Sequence, residues 1–137
     1  MAEARRRLQE RGHDAEQIDS AISQATAAGL LDDAAFSKLW MRDRTDRHPL
    51  SRTAVVQELR DKGVGEDLIQ RTLAAEYPLV QEIKLASELA ASRLVRLRGI
   101  SPEKQRERTL GFLRRRGFSY DVALQALQAA QRATDDE

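Results

Sequence analysis

Few residues in this 137-residue chain could do chemistry. Asp32 and Asp33 are adjacent carboxylates, a pairing that invites a metal ion. The stronger reading is an N-cap and a first-turn acid, placed where negative charge meets the positive end of a helix dipole. His13 and His48 are the only imidazoles and lie far apart in sequence. There is no cysteine, which excludes disulfides and thiolate metal sites. No glycine-rich phosphate loop, zinc-ligand spacing or nucleophile motif occurs. Trp40, Tyr77 and Tyr120 are too scattered for a base-stacking platform, and Trp40, one turn after Phe36, is expected in the core. These residues imply no catalytic group, cofactor or metal, and so no enzyme is expected.

The residues that could bind are arginines. Arginine supplies 19 of the 23 basic residues, in runs at 5–7, 42–52, 93–98 and 106–116, although the net charge is only +1. Clustered arginine against scattered acid implies local basic faces on a neutral molecule. Projected at 100° per residue, the segment 102–116 turns Thr109, Leu110 and Leu113 inward. Lys104, Arg108 and Arg115 then fall together on the opposite side, flanked by Arg114 and Arg116, with only Glu103 and Glu107 to balance them. Such a row can lie along a phosphate backbone or an acidic protein groove. Arg42, Arg47 and Arg52 form a second basic region around a Pro49 turn, partly neutralised by Asp43 and Asp46. The same projection of 51–62 turns Gln57, Glu58 and Asp61 outward, and on the helix that starts at Asp32 Arg42 points away from Phe36 and Trp40 while Arg44 lies nearer the core side.

Three stretches must position these faces: "LQERGHDAEQIDSAI", "LRDKGVGEDLIQRTL" and "LRRRGFSYDVALQAL". In each, a leucine is followed four residues later by glycine (Gly12, Gly63, Gly117), with a basic residue just before that glycine. Glycine can take the left-handed conformation that closes a helix, and a cation suits the negative helix end. Two residues on stand Asp14, Gly65 and Ser119, all good N-cap types. Each copy is therefore a helix stop followed by a helix start. The pairs are 3–11 with 15–28, 51–62 with 66–76, and 102–116 with 120–132. Longer helices intervene, from Asp32 to about Asp46 and from Pro78 to near Gly99. The second carries an apolar seam of Ile83, Ala86, Ala90, Leu94 and Leu97, with Leu85 and Leu89 on another side for a second neighbour. No segment alternates with period two, so strands are not expected.

The expected fold is all-α: eight helices in tandem three-helix repeats that stack into an elongated, solenoid-like array. The units are 1–31, which lacks its long helix, 32–77, and 78–137 with a short acidic tail. No apolar run approaches the ~20 residues that cross a bilayer, and a soluble cytoplasmic monomer is expected.

The segments "GLLDDAAF", "VVQELRDKGV" and "FLRRRGFSYD", in this order on such a repeat, resemble the RecX family of bacterial regulators of the RecA recombinase. The similarity extends from about Ala2 to Ala130. It implies three tandem three-helix repeats and binding to RecA filaments, with contact to the bound single-stranded DNA open. It also implies inhibition of RecA's ATPase, strand-exchange and co-protease activities in recombination and the SOS response. Members usually carry another helix before the position of Ala2. Two other functions fit the helices alone. A sequence-specific duplex binder is disfavoured because "YDVALQALQAAQR" offers few base-reading side chains. A scaffold module directed at another protein is the third.

Overall fold

The computed structural model describes residues 32–135. Six helices and no strand occur among them: α1 (32–46), α2 (Arg52–Asp61), α3 (Glu66–Glu76), α4 (Leu79–Arg96), α5 (Pro102–Arg115) and α6 (Tyr120–Asp135). The expected helices 3–11 and 15–28, with the first glycine motif, lie outside the described residues. Asp32 already lies within α1 and is not a cap in front of it, while α6 continues three residues past the expected end.

The leucine–glycine spacing has a concrete cause. At the end of α2, Lys62 is the C-cap and Gly63 follows at φ 85°. Gly63 N–H donates to Arg60 O at 3.0 Å and Val64 N–H to Leu59 O at 3.1 Å. At the end of α5 the same pair recurs, Gly117 (φ 94°) to Arg114 O at 2.9 Å and Phe118 to Leu113 O at 3.2 Å. Both are Schellman closures. They require a left-handed residue after the cap and an apolar residue after that, to pack on the leucine three places inside the helix. Leu59 and Val64, like Leu113 and Phe118, are buried accordingly. The next helix starts at once. Gly65 caps α3 with extended backbone and no side-chain bond, whereas Ser119 Oγ accepts from Val122 N at 3.2 Å.

Two cores result. Met41, Val55, Val56, Leu59, Ile69, Leu73 and Tyr77 fill the first, among α1, α2 and α3. The second is built largely of alanine: Ala86 and Ala90 of α4 meet Ala123, Ala126 and Ala130 of α6, with Leu113 and Phe118. Helix α4 joins the two. Of the two leucines expected on one second side, only Leu85 packs on the first core; Leu89 packs on the second, with Ala86 and Ala90.

Polar contacts fasten the turn between α1 and α2 to both neighbours. Tyr77 Oη donates to Leu50 O at 2.8 Å, and Arg52 Nε donates to Tyr77 O at 2.8 Å. Burial pushes the Tyr77 phenol well above its ordinary pKa, so it remains a donor. Buried Glu82 accepts from Arg52 N at 2.7 Å, placing a carboxylate at the positive end of α2. From the other side, Ser51 N–H donates to Arg116 O at 3.1 Å and Arg116 Nη1 to Pro49 O at 3.0 Å. A Cβ on Gly117 would stand 2.5 Å from Ser51 Oγ and 2.9 Å from Ala54 Cβ. This glycine therefore serves a close approach between segments as well as a turn.

Candidate functional site

Helix α5 begins where Ser101 Oγ accepts from Lys104 N at 3.4 Å and Pro102 takes the first turn, a position that lacks an amide partner anyway. Thr109 and Leu113 are fully buried and Leu110 partly so, which fixes the helix's rotation. Lys104, Arg108, Arg114 and Arg115 are exposed, and no acid among the described residues pairs with any of them. Glu103 and Glu107 are exposed and equally unpaired. Arg115 folds back along the helix: its Nη1 would lie 3.2 Å from a Cβ on Gly111, whose bare backbone sits between Arg108 and Arg115 on that side. The result is a cationic helix surface with its side chains free to meet an anion. Arg116 stands apart from this row. It is half-buried, bonded to Pro49, and its guanidinium carbon lies 4.9 Å from the Phe112 ring centroid.

The second basic region is largely engaged within the chain. Arg42 Nε donates to Glu76 Oε2 at 3.2 Å, and Arg52 is held on Tyr77 O. Arg47 is exposed and makes no ion pair among the described residues. Arg44 pairs locally, as its place near the core suggests. Its Nε and Nη2 both reach Glu58 at 3.0 Å, and its guanidinium lies 4.3 Å from the Trp40 ring. The Glu58 hydrogen bond raises the Arg44 pKa. Glu58 is therefore not an outward acid as the projection of 51–62 has it. It is half-buried and also accepts from Trp40 Nε1 at 3.2 Å. A projection of α2 alone contains no information about α1, which supplies both donors. Trp40 is half-buried beneath Arg44 and Lys62, whose Nζ lies 4.6 Å from its ring.

Two cations outside the expected set, Arg93 and Arg96 of α4, line a cleft with Phe112 and Arg116. The sequence signal was the arginine run at 93–98, but α4 presents several sides to neighbours, and its sequence alone does not say which of them closes on α5. No group of three or more potential metal ligands occurs among the described residues. None of their helices is long and apolar enough to cross a membrane.

Family models describe two consecutive parts of the chain: "RecX, second three-helix domain" matches residues 32–73 and "RecX, third three-helix domain" matches 81–127. The chain belongs to the RecX family. It is 36% identical over 121 residues to the regulatory protein RecX of Amycolatopsis mediterranei, covering 88% of this chain and 69% of that protein. It is 36% identical over 137 residues to the RecX of Pelodictyon phaeoclathratiforme, covering 98% and 83%. The crystal structure of RecX from Lactobacillus salivarius superposes with a TM-score of 0.77 at 17% identity, over 93% of this chain and 82% of that one. A second RecX crystal structure gives 0.72 at 24% identity, over 88% and 60%. At those identities the structures establish a shared fold. The family is one of regulatory proteins, and the exposed row on α5 lies in the part that corresponds to the RecX third domain.

Proposed function

We propose that this chain is a RecX-type regulator that binds RecA filaments and inhibits RecA's ATPase, strand exchange and co-protease activity. The observation that carries this reading is the exposed row Lys104, Arg108 and Arg115, with Arg114 beside it, unpaired on a helix whose rotation the core fixes. A filament of protein on single-stranded DNA offers both acidic side chains and phosphates to such a row. In this reading the units 32–77 and 78–137 stack as repeats along the filament groove. The monomer acts in the cytoplasm, by binding and without catalysis. Arg47 and Arg42 add a second contact, and Arg52 and Arg116 act indirectly by holding the α1–α2 turn against α4 and α5.

The triple change Lys104→Ala, Arg108→Ala, Arg115→Ala leaves the core untouched and tests this reading. We expect unchanged helicity and melting, weaker binding to RecA on single-stranded DNA, and weaker inhibition of its ATPase. If the row meets phosphates, the log-affinity against log-salt slope falls by roughly 0.7 per contact, about 2 for three. If it meets acidic side chains, binding to bare single strands hardly changes. Undiminished ATPase inhibition by the folded triple variant would refute the assignment of this face.

A further inference from the structure

The cleft between α4 and α5 gathers three cations without an acid. Arg93 and Arg96 reach it from α4 and Arg116 from the cap of α5; Leu89, Ser92 and Phe112 complete a space of about 250 Å³. The guanidinium carbons of Arg93 and Arg116 lie 4.8 and 4.9 Å from the centroid of the same Phe112 ring. One ring thus positions two like charges that line the same cleft, with no acid among the described residues lining it to offset them. Glu88, one turn before Ser92 on α4, does not line the cleft and pairs with none of the three arginines.

The arginines are also held in place. Arg93 Nε is buried with no hydrogen-bond acceptor, while its terminal nitrogens are not sealed in this way and likewise meet no acceptor among the described residues. Arg116 is anchored through Nη1 to Pro49 O, which leaves its other nitrogens available. Arg96 is exposed at the mouth and unpaired, and Ser92 adds a hydroxyl one turn before it. A partly buried cation without a carboxylate is uncommon, because desolvation then has no compensation. A cleft with apolar walls also focuses the field of its charges and concentrates anions.

The larger space beside the C-terminal end of α4, about 430 Å³ and walled by α6, lacks this imbalance, since Asp135 lines it together with Arg98. Guanidinium forks match carboxylate and phosphate oxygens alike. With Arg116 Nη1 taken by Pro49 O and Arg93 Nε buried, the donors that remain come from three arginines and the Ser92 hydroxyl on two helices, which suits a tetrahedral phosphate, with oxygens in several directions, better than one planar carboxylate.

We infer that this cleft is a phosphate-binding site formed by Arg93, Arg96, Arg116 and Ser92. Free phosphate and a nucleic-acid phosphodiester share this chemistry. The inference is independent of RecA and extends the anion-binding surface of this part of the chain beyond the row on α5.

The arginine Nε–H signals of the full chain, followed by NMR, test it without RecA. Sodium phosphate is titrated against sodium chloride at equal ionic strength, followed by a short oligothymidylate and a glutamate-rich peptide. The Arg93 and Arg96 signals should move saturably with phosphate and not with chloride. Movement with the oligonucleotide as well assigns the site to a strand, and movement with phosphate alone assigns it to a small phosphate. In the strand case, Arg93→Gln with Arg96→Gln should weaken the saturable movement of the remaining Arg116 signal and lower the oligonucleotide salt slope by about 1.4. Arg93 packs on Phe112, so the exposed Arg96→Gln alone is measured too, with an expected drop of about 0.7. The Lys104, Arg108 and Arg115 triple variant should keep the phosphate response. No saturable movement with either phosphate ligand, or movement with the peptide only, would overturn the assignment.

Discussion

The segments 32–77 and 78–135 close their turns with the same hydrogen bonds but dispose of their charges in opposite ways. The first has eight Lys and Arg against nine Asp and Glu, and every ion pair among the described residues lies within it. The second has eleven against six and forms none. Their cores differ too. The first is filled by Met, Val, Leu, Ile and Tyr, while alanines bring α4 and α6 together in the second. One segment neutralises its surface internally. The other leaves its cations without an acid partner among the described residues, on the exposed side of α5 and in the cleft beside Phe112.

The difference in cores predicts opposite sensitivities. Leu59→Ala, at a fully buried site of the first core, leaves a cavity and should cost about 2–5 kcal/mol in denaturant unfolding. In the second core insertion is the damaging change. Ala126→Leu, also at a fully buried site, should cost about 1–3 kcal/mol by forcing the α4–α6 contact apart. A neutral Ala126→Leu would show that the alanine interface is loosely packed.

The left-handed glycines sharpen the comparison further. At Gly99 (φ 91°) an added Cβ meets nothing within 4 Å, so Gly99→Ala carries backbone strain alone, about 1 kcal/mol. Gly117→Ala adds the collision with Ser51 and Ala54 to the same strain. Thermal melts should place it clearly below Gly99→Ala, and equal melting would mean that the approach of Ser51 is easily relaxed. Gly65 has extended backbone and open space, so Gly65→Ser should stabilise by a few tenths of a kcal/mol through the missing cap bond.

Acid should act on the first segment. The Arg60 hydrogen bonds, with help from Gln70, hold the Glu66 carboxyl at about 2 against an ordinary 4.5. A depressed folded-state pKa contributes stability above about 4.5 that is lost as pH falls toward 2. The melting difference between the parent and Arg60→Gln should therefore be present at neutral pH and disappear near pH 2. A difference independent of pH would mean that the pair contributes nothing.

The elements were legible wherever the signal is local. A Schellman closure fixes leucine, cation, glycine and apolar residue within six positions, so Leu59–Val64 and Leu113–Phe118 could be read directly, and the inward Thr109 and Leu113 followed from helical period. Contacts between distant segments were not legible. Arg116 reaches Pro49 across 67 positions and Arg52 reaches Tyr77 across 25. Neither pairing leaves a mark in spacing, so both residues look like free cations in the sequence. Glu58 looks like a free acid for the same reason. Arg93 and Arg96 acquire their meaning only when α4 closes on Phe112.

The most direct measurement compares two triple variants, one from each segment, on RecA assembled on single-stranded DNA with ATP. Lys104→Ala, Arg108→Ala, Arg115→Ala removes unpaired cations of the second segment. Lys38→Ala, Arg60→Ala, Arg71→Ala removes cations of the first that are bound to Glu76, to Glu66 and to the Asp67 carbonyl. The first variant should lose filament affinity and ATPase inhibition with unchanged melting. The second should melt slightly lower and inhibit as the parent does. Equal loss of inhibition in both, or loss in the second variant alone, would contradict the assignment of binding to the unpaired cations of α5.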